Sequence, residues 1–337
     1  MPGAGIPLRR LALRSLRTVE LDIHAVLDPI RLGLSVPQAL AILTARRPAA
    51  IFTTGGYVAV PVLIAATLLR IPVVMWDGNV VPGRSVRWTA RMASCLTVSF
   101  AATCSALGGS RACFVTGTPL RDPGAVDRAA ARSQLGVGPD DRLMLIFGGS
   151  QAVRRFNLAV AEALPRLVER VRVLHVTGDA GFEAAVAGRA ALPPRLRERY
   201  RPERFLGAEM ATALAAADIV VGRAGSSTLA EVAAFGLPMV VVPYPHAAGH
   251  QRRNAEEMVR TGAARLVEDE AFDAGALLAA AEIASDAGRC AAMTAAARSL
   301  ARPGAAEAVA RLVMAAAERR PFPTAHEIDA ISRGAAT

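Results

Sequence analysis

The chain has 337 residues, 53% of them hydrophobic and 20% charged, with a formal net charge of +10. That length holds two domains with large cores, and the alanine- and valine-rich balance suits helix-covered parallel sheets. The arginine excess fits nucleic acid, an anionic membrane or an anionic substrate, but 10 Phe, 3 Tyr and 2 Trp are too few and scattered for base stacking, which sets nucleic acid aside.

The opening MPGAGIPLRR lacks the apolar core of a signal peptide. Ile6 to Val19 carries Arg9, Arg10, Arg14 and Arg17 among leucines, and two readings stand equal: a basic amphipathic element on a membrane surface, or an ordinary solvated face. Periodicity predicts a helix over Leu32 to Arg46 and a strand over Ala49 to Thr53. Gly55-Gly56-Tyr57 follows, then the most apolar run, Val58 to Leu69, too short to span a bilayer and expected as a buried helix. Pro72 to Trp76 reads as a buried strand, leading through Asp77-Gly78-Asn79 and Pro82-Gly83 into a basic helix with Arg84, Arg87, Trp88 and Arg91. Leu96 to Ser99 and Ala112 to Val115 read as short strands. Gly117 to Pro123 is a loop and a domain boundary. Cys95, Cys104, Cys113 and Cys290 show no metal-ligand spacing and are expected as reduced, mostly buried thiols.

The second half restarts the pattern. Arg142 to Phe147 is an expected strand, Gly148-Gly149-Ser150-Gln151 a tight turn, and a helix starts near Asn157. Val171 to Thr177 is a strand, Phe182 to Gly188 a helix, Arg204-Phe205-Leu206 a short strand and Met210 to Ala217 a helix. Asp218 to Val221 is a buried strand, Arg223 to Ser227 a small polar turn and Thr228 to Phe235 a helix that Gly236 and Pro238 stop. Met239 to Val242 is a strand, Pro243 to Gln251 a polar loop, and Gly262 to Val267 the last strand, with helices to about Arg319. The alternation predicts an α/β protein of two doubly wound Rossmann-like sheets, with ligands at the carboxyl ends of the strands, in a cleft between the two.

The turn after Val221 suits a phosphate or diphosphate. The first amides of the following helix carry the positive end of its dipole, Gly225 leaves room for close approach, and Ser226, Ser227 and Thr228 add hydroxyls. Glu231, one turn in, is placed to accept from sugar hydroxyls; the competing reading makes Thr228 and Glu231 a capping box.

Six strings, TTGGYVAVP, VVMWDGNVVPG, VTGTPLRD, IFGGSQAVRRFN, ADIVVGRAGSSTLAEVAAFGLP and GHQRRNA, taken together and in order, resemble the bacterial peptidoglycan N-acetylglucosaminyltransferases, the MurG family of GT-B glycosyltransferases, from about Gly5 to about Met314. The resemblance implies transfer of N-acetylglucosamine from UDP-N-acetylglucosamine to the muramyl sugar of lipid I, giving lipid II for peptidoglycan synthesis, cell shape and division. It implies inversion at the sugar C1, no cofactor and no metal, and peripheral attachment to an anionic membrane on its cytoplasmic face. Residue by residue, it implies that Ser150 and the amides at Ser226, Ser227 and Thr228 hold the diphosphate and that Glu231 takes the ribose. Leu206 contacts uracil through its backbone, and Arg121 helps to hold the nucleotide. Gln251, with His250 beside it, binds the sugar, and Asn79 reaches the sugar from the opposite domain. The expected domains are 1–122, facing acceptor and membrane, with a C-terminal helix near 318–337 packing back on it, and 123–317, binding the UDP-sugar.

Two departures qualify that picture. Trp76-Asp77-Gly78-Asn79 stands where the family usually has His-Glu-Gln-Asn. The family also opens with a strand and a glycine-rich loop carrying a catalytic histidine, and Met1 falls beyond its place. Two βα units, roughly 60 residues, are therefore expected to be missing, the catalytic residue stays unassigned, and transfer by the chain alone is expected to be poor. Alternatives remain: a GT-B transferase for another lipid acceptor, an inactive UDP-sugar-binding subunit completed by a partner chain, and a UDP-sugar epimerase.

Overall fold

The structure, a computed structural model, describes residues 5, 7–11, 24–108, 112–120, 126–149, 154–247 and 249–334, without the side chains of 24–30. Arg14 and Arg17 of the expected basic element lie outside the described residues. The chain forms two compact units, one ending at Thr116 and resuming at Ala306, the other running from Gly117 to Ala305.

The first unit runs α1 (His24–Arg46), β1 (Ile51–Thr53), a 3-10 turn at Tyr57–Ala59, α2 (Val60–Leu68), β2 (Val73–Asp77), α3 (Arg84–Thr89), β3 (Cys95–Val98), α4 (Ala101–Ala106) and β4 (Ala112–Val115). The four strands are parallel and lie in chain order. Alternate side chains face opposite layers, as a period of two requires. Val73, Met75 and Leu96 join Leu43 and Leu63 on the α1 and α2 side, while Val74 and Cys95 join Phe114 on the other. Burial pushes the Cys95 thiol up to about 12. The apolar run is not the wholly buried helix expected. Leu63, Ala65 and Ala66 are fully buried, but Val58 is 44% and Leu68 64% exposed.

Nor are all four cysteines reduced. Cys104 on α4 and Cys113 on β4 form a disulfide, their Cα atoms 5.8 Å apart, within bridging distance. Their spacing in the chain carries no such signal, because the contact depends on α4 folding back beside β4.

The second unit runs α5 (Arg128–Gln134), β5 (Leu143–Phe147), α6 (Arg154–Arg170), β6 (Arg172–Val176), α7 (Asp179–Ala191), α8 (Pro194–Arg197), β7 (Tyr200–Glu203), α9 (Met210–Ala216), β8 (Ile219–Gly222), α10 (Ser226–Ala234), β9 (Met239–Val241), α11 (His250–Arg260), β10 (Ala264–Leu266), a 3-10 turn at Asp269–Ala271, α12 (Ala274–Ser285) and α13 (Ala287–Leu300). All strands are parallel, in the order β7-β6-β5-β8-β9-β10. This is the doubly wound arrangement in which chain direction across the sheet reverses between the first strand and the fourth. Met144, Ile146, Ile219 and Val221 face a layer containing Phe156, Leu167 and Leu277; Leu145, Val220 and Val241 face one containing Leu214, Leu229 and Ala297. At the amino edge, Asp218 accepts from Arg128 at 2.8 Å, Arg132 at 3.0 Å and the Leu143 amide at 2.8 Å, tying β8 to β5 and α5.

Arg204-Phe205-Leu206 is not a strand. The strand lies just before it, where Tyr200 pairs with Val173 and Pro202 with His175. A proline is tolerated because β7 is the sheet edge. The chain then returns to the first unit as α14 (Ala305–Ala317) and α15 (Ala325–Ser332). Ala308, Leu312 and Ile328 close the layer over Val74, Cys95 and Phe114. Among the described residues no helix is long and apolar enough to cross a membrane.

Candidate functional site

In a doubly wound sheet the ligand crevice opens at the carboxyl ends of the strands where the order reverses, here between β5 and β8. β5 leaves the sheet into Gly148-Gly149, and β8 into Arg223-Ala224-Gly225. α10 begins at Ser226, two residues earlier than expected, with Gly225 as its N-cap and no side chain bonded to the cap position. The capping-box reading is therefore excluded: Thr228 is the third helical residue and Glu231 the sixth, so neither stands where that motif requires. The amides of Ser226, Ser227 and Thr228 open the helix and carry the positive end of its dipole. Gly225 has φ −65° and ψ 139°, open to any residue, and a Cβ there would meet only Thr228 Oγ1 at 3.6 Å. Neither strain nor packing demands the glycine. What its bare Cα does provide is space above the turn.

Glu231 is half-buried on α10, and desolvation raises its carboxyl above the usual glutamate range. Among the described residues nothing donates a hydrogen bond or ion pair to that carboxylate. A half-buried carboxylate without a partner is destabilising unless a ligand supplies donors.

Gln251 opens α11 behind Gly249, whose φ of 78° reverses the chain there. Its Oε1 accepts from the Ala224 amide at 3.2 Å and the Tyr244 amide at 2.9 Å. With the oxygen so engaged, Nε2 is the group it has left to offer. Asn254, fully buried one turn later, donates to the Ala224 carbonyl at 3.3 Å. His250, half-buried, precedes Gln251, and its amide donates to the Ala247 carbonyl. The structure thus brings Ser226, Ser227, Thr228, Glu231, His250 and Gln251 to one corner of the second unit.

Two residues there carry more than sequence reasoning assigned them. Arg223 is 6% exposed; it donates to Asp269 Oδ1 at 2.5 Å and to the Val242 and Pro243 carbonyls at 3.3 Å. Its guanidinium stacks over Phe156 at 4.8 Å and Tyr244 at 5.4 Å. A buried arginine directly after an apolar strand must find a carboxylate, and that signal pointed to the acidic stretch Glu268-Asp269-Glu270. Arg223 and Asp269 themselves line a cavity of about 420 Å³, with Arg154, Leu158 and Phe272.

Leu206 lies half-buried after β7, lining a pocket of about 260 Å³ with Gln134, Phe205 and Glu209. Asn79 belongs to the first unit, in the turn after β2. Its amide and its Nδ2 both donate to Asp77 Oδ1, at 2.9 and 3.3 Å, and its carbonyl accepts from Thr103 Oγ1 on α4 at 2.8 Å. Asp77 shapes this turn. Ser150 and Arg121 lie outside the described residues.

Residues 143–311 match the glycosyltransferase family 28 C-terminal domain, and residues 2–98 the family 28 N-terminal domain. Over 276 residues the chain is 36% identical to the UDP-N-acetylglucosamine–N-acetylmuramyl-(pentapeptide) pyrophosphoryl-undecaprenol N-acetylglucosamine transferase of Chlorobaculum parvum, covering 80% of this chain and 73% of that one. The transferase of the same name from Moorella thermoacetica is 36% identical over 296 residues, covering 82% and 76%. The crystal structure of MurG from Acinetobacter baumannii superposes with a TM-score of 0.72 at 25% identity, covering 93% of this chain and 86% of that one.

Proposed function

The chain belongs to glycosyltransferase family 28, among the UDP-N-acetylglucosamine–N-acetylmuramyl-(pentapeptide) pyrophosphoryl-undecaprenol N-acetylglucosamine transferases, and on that premise we propose that it moves N-acetylglucosamine from UDP-N-acetylglucosamine to lipid I, making lipid II. The observation that carries this is the corner at the β5–β8 reversal. Among the described residues, a helix N-terminus without a side-chain cap lies beside a half-buried carboxylate without a partner and a glutamine whose oxygen is already engaged.

Each feature has a task in the reaction. When the sugar C1 leaves its phosphate, negative charge develops on a diphosphate. The Ser226, Ser227 and Thr228 amides, with their hydroxyls and Ser150, stabilise it without rearranging. Glu231 accepts from ribose hydroxyls, which give its carboxylate the donors it lacks. Gln251 Nε2 donates to the sugar, with His250 beside it. Leu206 meets uracil through its backbone, and Arg121 steadies the nucleotide. β7 and β8 are three strand spacings apart, about 14 Å, a span that suits a base, ribose and diphosphate better than a lone phosphate.

The acceptor is a membrane lipid, and the first unit is suited to peripheral contact. Trp88 is 57% exposed on α3, among exposed Arg84, Arg87 and Arg91. Leu8, 56% exposed, stands beside exposed Arg9 and Arg10. Exposed apolar side chains among cations favour an anionic bilayer surface. The test of the function is a transfer assay with radiolabelled UDP-N-acetylglucosamine and lipid I. Labelled lipid II is the expected product. Label that reaches only a different lipid, or an epimerised UDP-sugar, would refute the assignment.

A further inference from the structure

Residues 223–225 form the whole passage from β8 to the phosphate-suited helix, and segments from elsewhere hold the first two. Arg223 binds Asp269 after β10 and the Val242 and Pro243 carbonyls after β9. Ala224 is held through its amide by Gln251 and through its carbonyl by Asn254, both on α11. The second oxygen of Asp269 accepts from Arg155 Nε at 3.1 Å, on the helix that follows the Gly148-Gly149 turn. Asp269 and its two arginines therefore join α6, which follows β5, to the segments after β8, β9 and β10.

We propose that the buried Arg223–Asp269 pair is the positioning element of the donor site: it sets the first turn of α10 against the loop bearing Gln251, so that both act on one nucleotide-sugar. This rests on the transferase reading above and adds a residue pair whose proposed role is exerted through the backbone it holds. The core of the unit does not require the pair. It lies beyond the carboxyl ends of the apolar strands, and the amino ends of β5 and β8 are tied separately by Asp218, Arg128 and Arg132. Taking a guanidinium and a carboxylate out of water contributes little net stability and returns something mainly where exact placement matters. Placement matters here, since an error of about 1 Å in an aligned site costs on the order of a hundredfold in rate.

Asp269→Asn removes the ion pair and leaves the Arg223 charge buried without its carboxylate, which is strongly destabilising, so its binding is measured well below its melting temperature and read beside the double variant. Calorimetry with UDP on the full chain is the first readout, and the KM values for UDP-N-acetylglucosamine and lipid I the second. Positioning predicts UDP binding weaker by about tenfold or more, KM for the donor raised in proportion and KM for the acceptor unchanged. If Arg223 instead touched the diphosphate directly, releasing it from Asp269 would leave UDP affinity unchanged or improve it, which would overturn the proposal. The double variant Arg223→Met/Asp269→Leu separates position from stability, because apolar replacement of a buried pair keeps or raises stability. It is expected to melt no lower than the native chain and still to bind UDP weakly. Native affinity in the double variant would also overturn the proposal. Absence of UDP binding by the native chain would refute the transferase reading instead.

Discussion

Replacing Glu231 by Gln isolates a half-buried carboxylate that lacks a partner among the described residues. A hydrogen bond to a charged acceptor contributes about 1.5–3 kcal/mol and a neutral one about 1 kcal/mol. For two ribose hydroxyls the change costs about 1–4 kcal/mol, roughly a fivefold to several-hundred-fold rise in the Kd for UDP. Stability moves the other way. Desolvation raises the Glu231 pKa in the folded chain, so its contribution is fully present below the unfolded pKa and is lost as pH rises through the folded one. At neutral pH the native chain already carries that loss, and Gln does not. The variant should therefore melt at or slightly above the native temperature near neutrality, with the difference vanishing in acid. UDP hydroxyls favour the charged form, so binding releases protons just above the usual glutamate range, visible as a buffer-dependent calorimetric enthalpy. A variant that melts lower yet binds UDP with native affinity would show that Glu231 serves the fold and not the ligand.

Three further outcomes follow from the structure. Cys104→Ser or Cys113→Ser opens the short Cys104–Cys113 loop and should cost about 2–3 kcal/mol by the loop-entropy relation; equal melting of native and variant chains under oxidising conditions would show that the bridge contributes nothing. His175, 1% exposed and bonded to the Tyr200 hydroxyl at 2.9 Å, is pushed by burial from 6.5 to about 3. Its stabilising contribution, present above the unfolded pKa, is lost as pH falls through that window by at most about 1.4 kcal/mol per pH unit; His175→Gln should flatten the pH dependence measured by urea unfolding, and an unchanged slope would contradict this. Vesicles of anionic lipid should sediment the chain in a salt-reversible way, with about 1 kcal/mol lost for each of Arg84, Arg87 and Arg91 changed to Ala; binding indifferent to salt and to these changes would exclude that surface.

Alternation of apolar strands with helical stretches made the α/β class legible, because buried parallel strands such as Leu143–Phe147 carry no polar side to blur them. The strand order was not legible: local sequence does not record that β8 inserts beside β5. Tyr200–Glu203 was missed because an edge strand tolerates the arginine, proline and glutamate that disguise it. The glycine turn before α10 was visible in its small residues, but its start was misplaced by two positions, since Ser226 and Thr228 are equally good openers. Arg223–Asp269 and Cys104–Cys113 depend on segments meeting in space, and only the arginine left a trace, as a charge stranded at the end of an apolar strand.

The central claim, that the second unit is built for a uridine nucleotide, is tested most directly by calorimetric titration of the chain with UDP, GDP and ADP in turn. The account predicts that UDP binds tightest, that UDP-N-acetylglucosamine competes with it, and that GDP and ADP bind distinctly more weakly. Equal or tighter binding of GDP or ADP would contradict it.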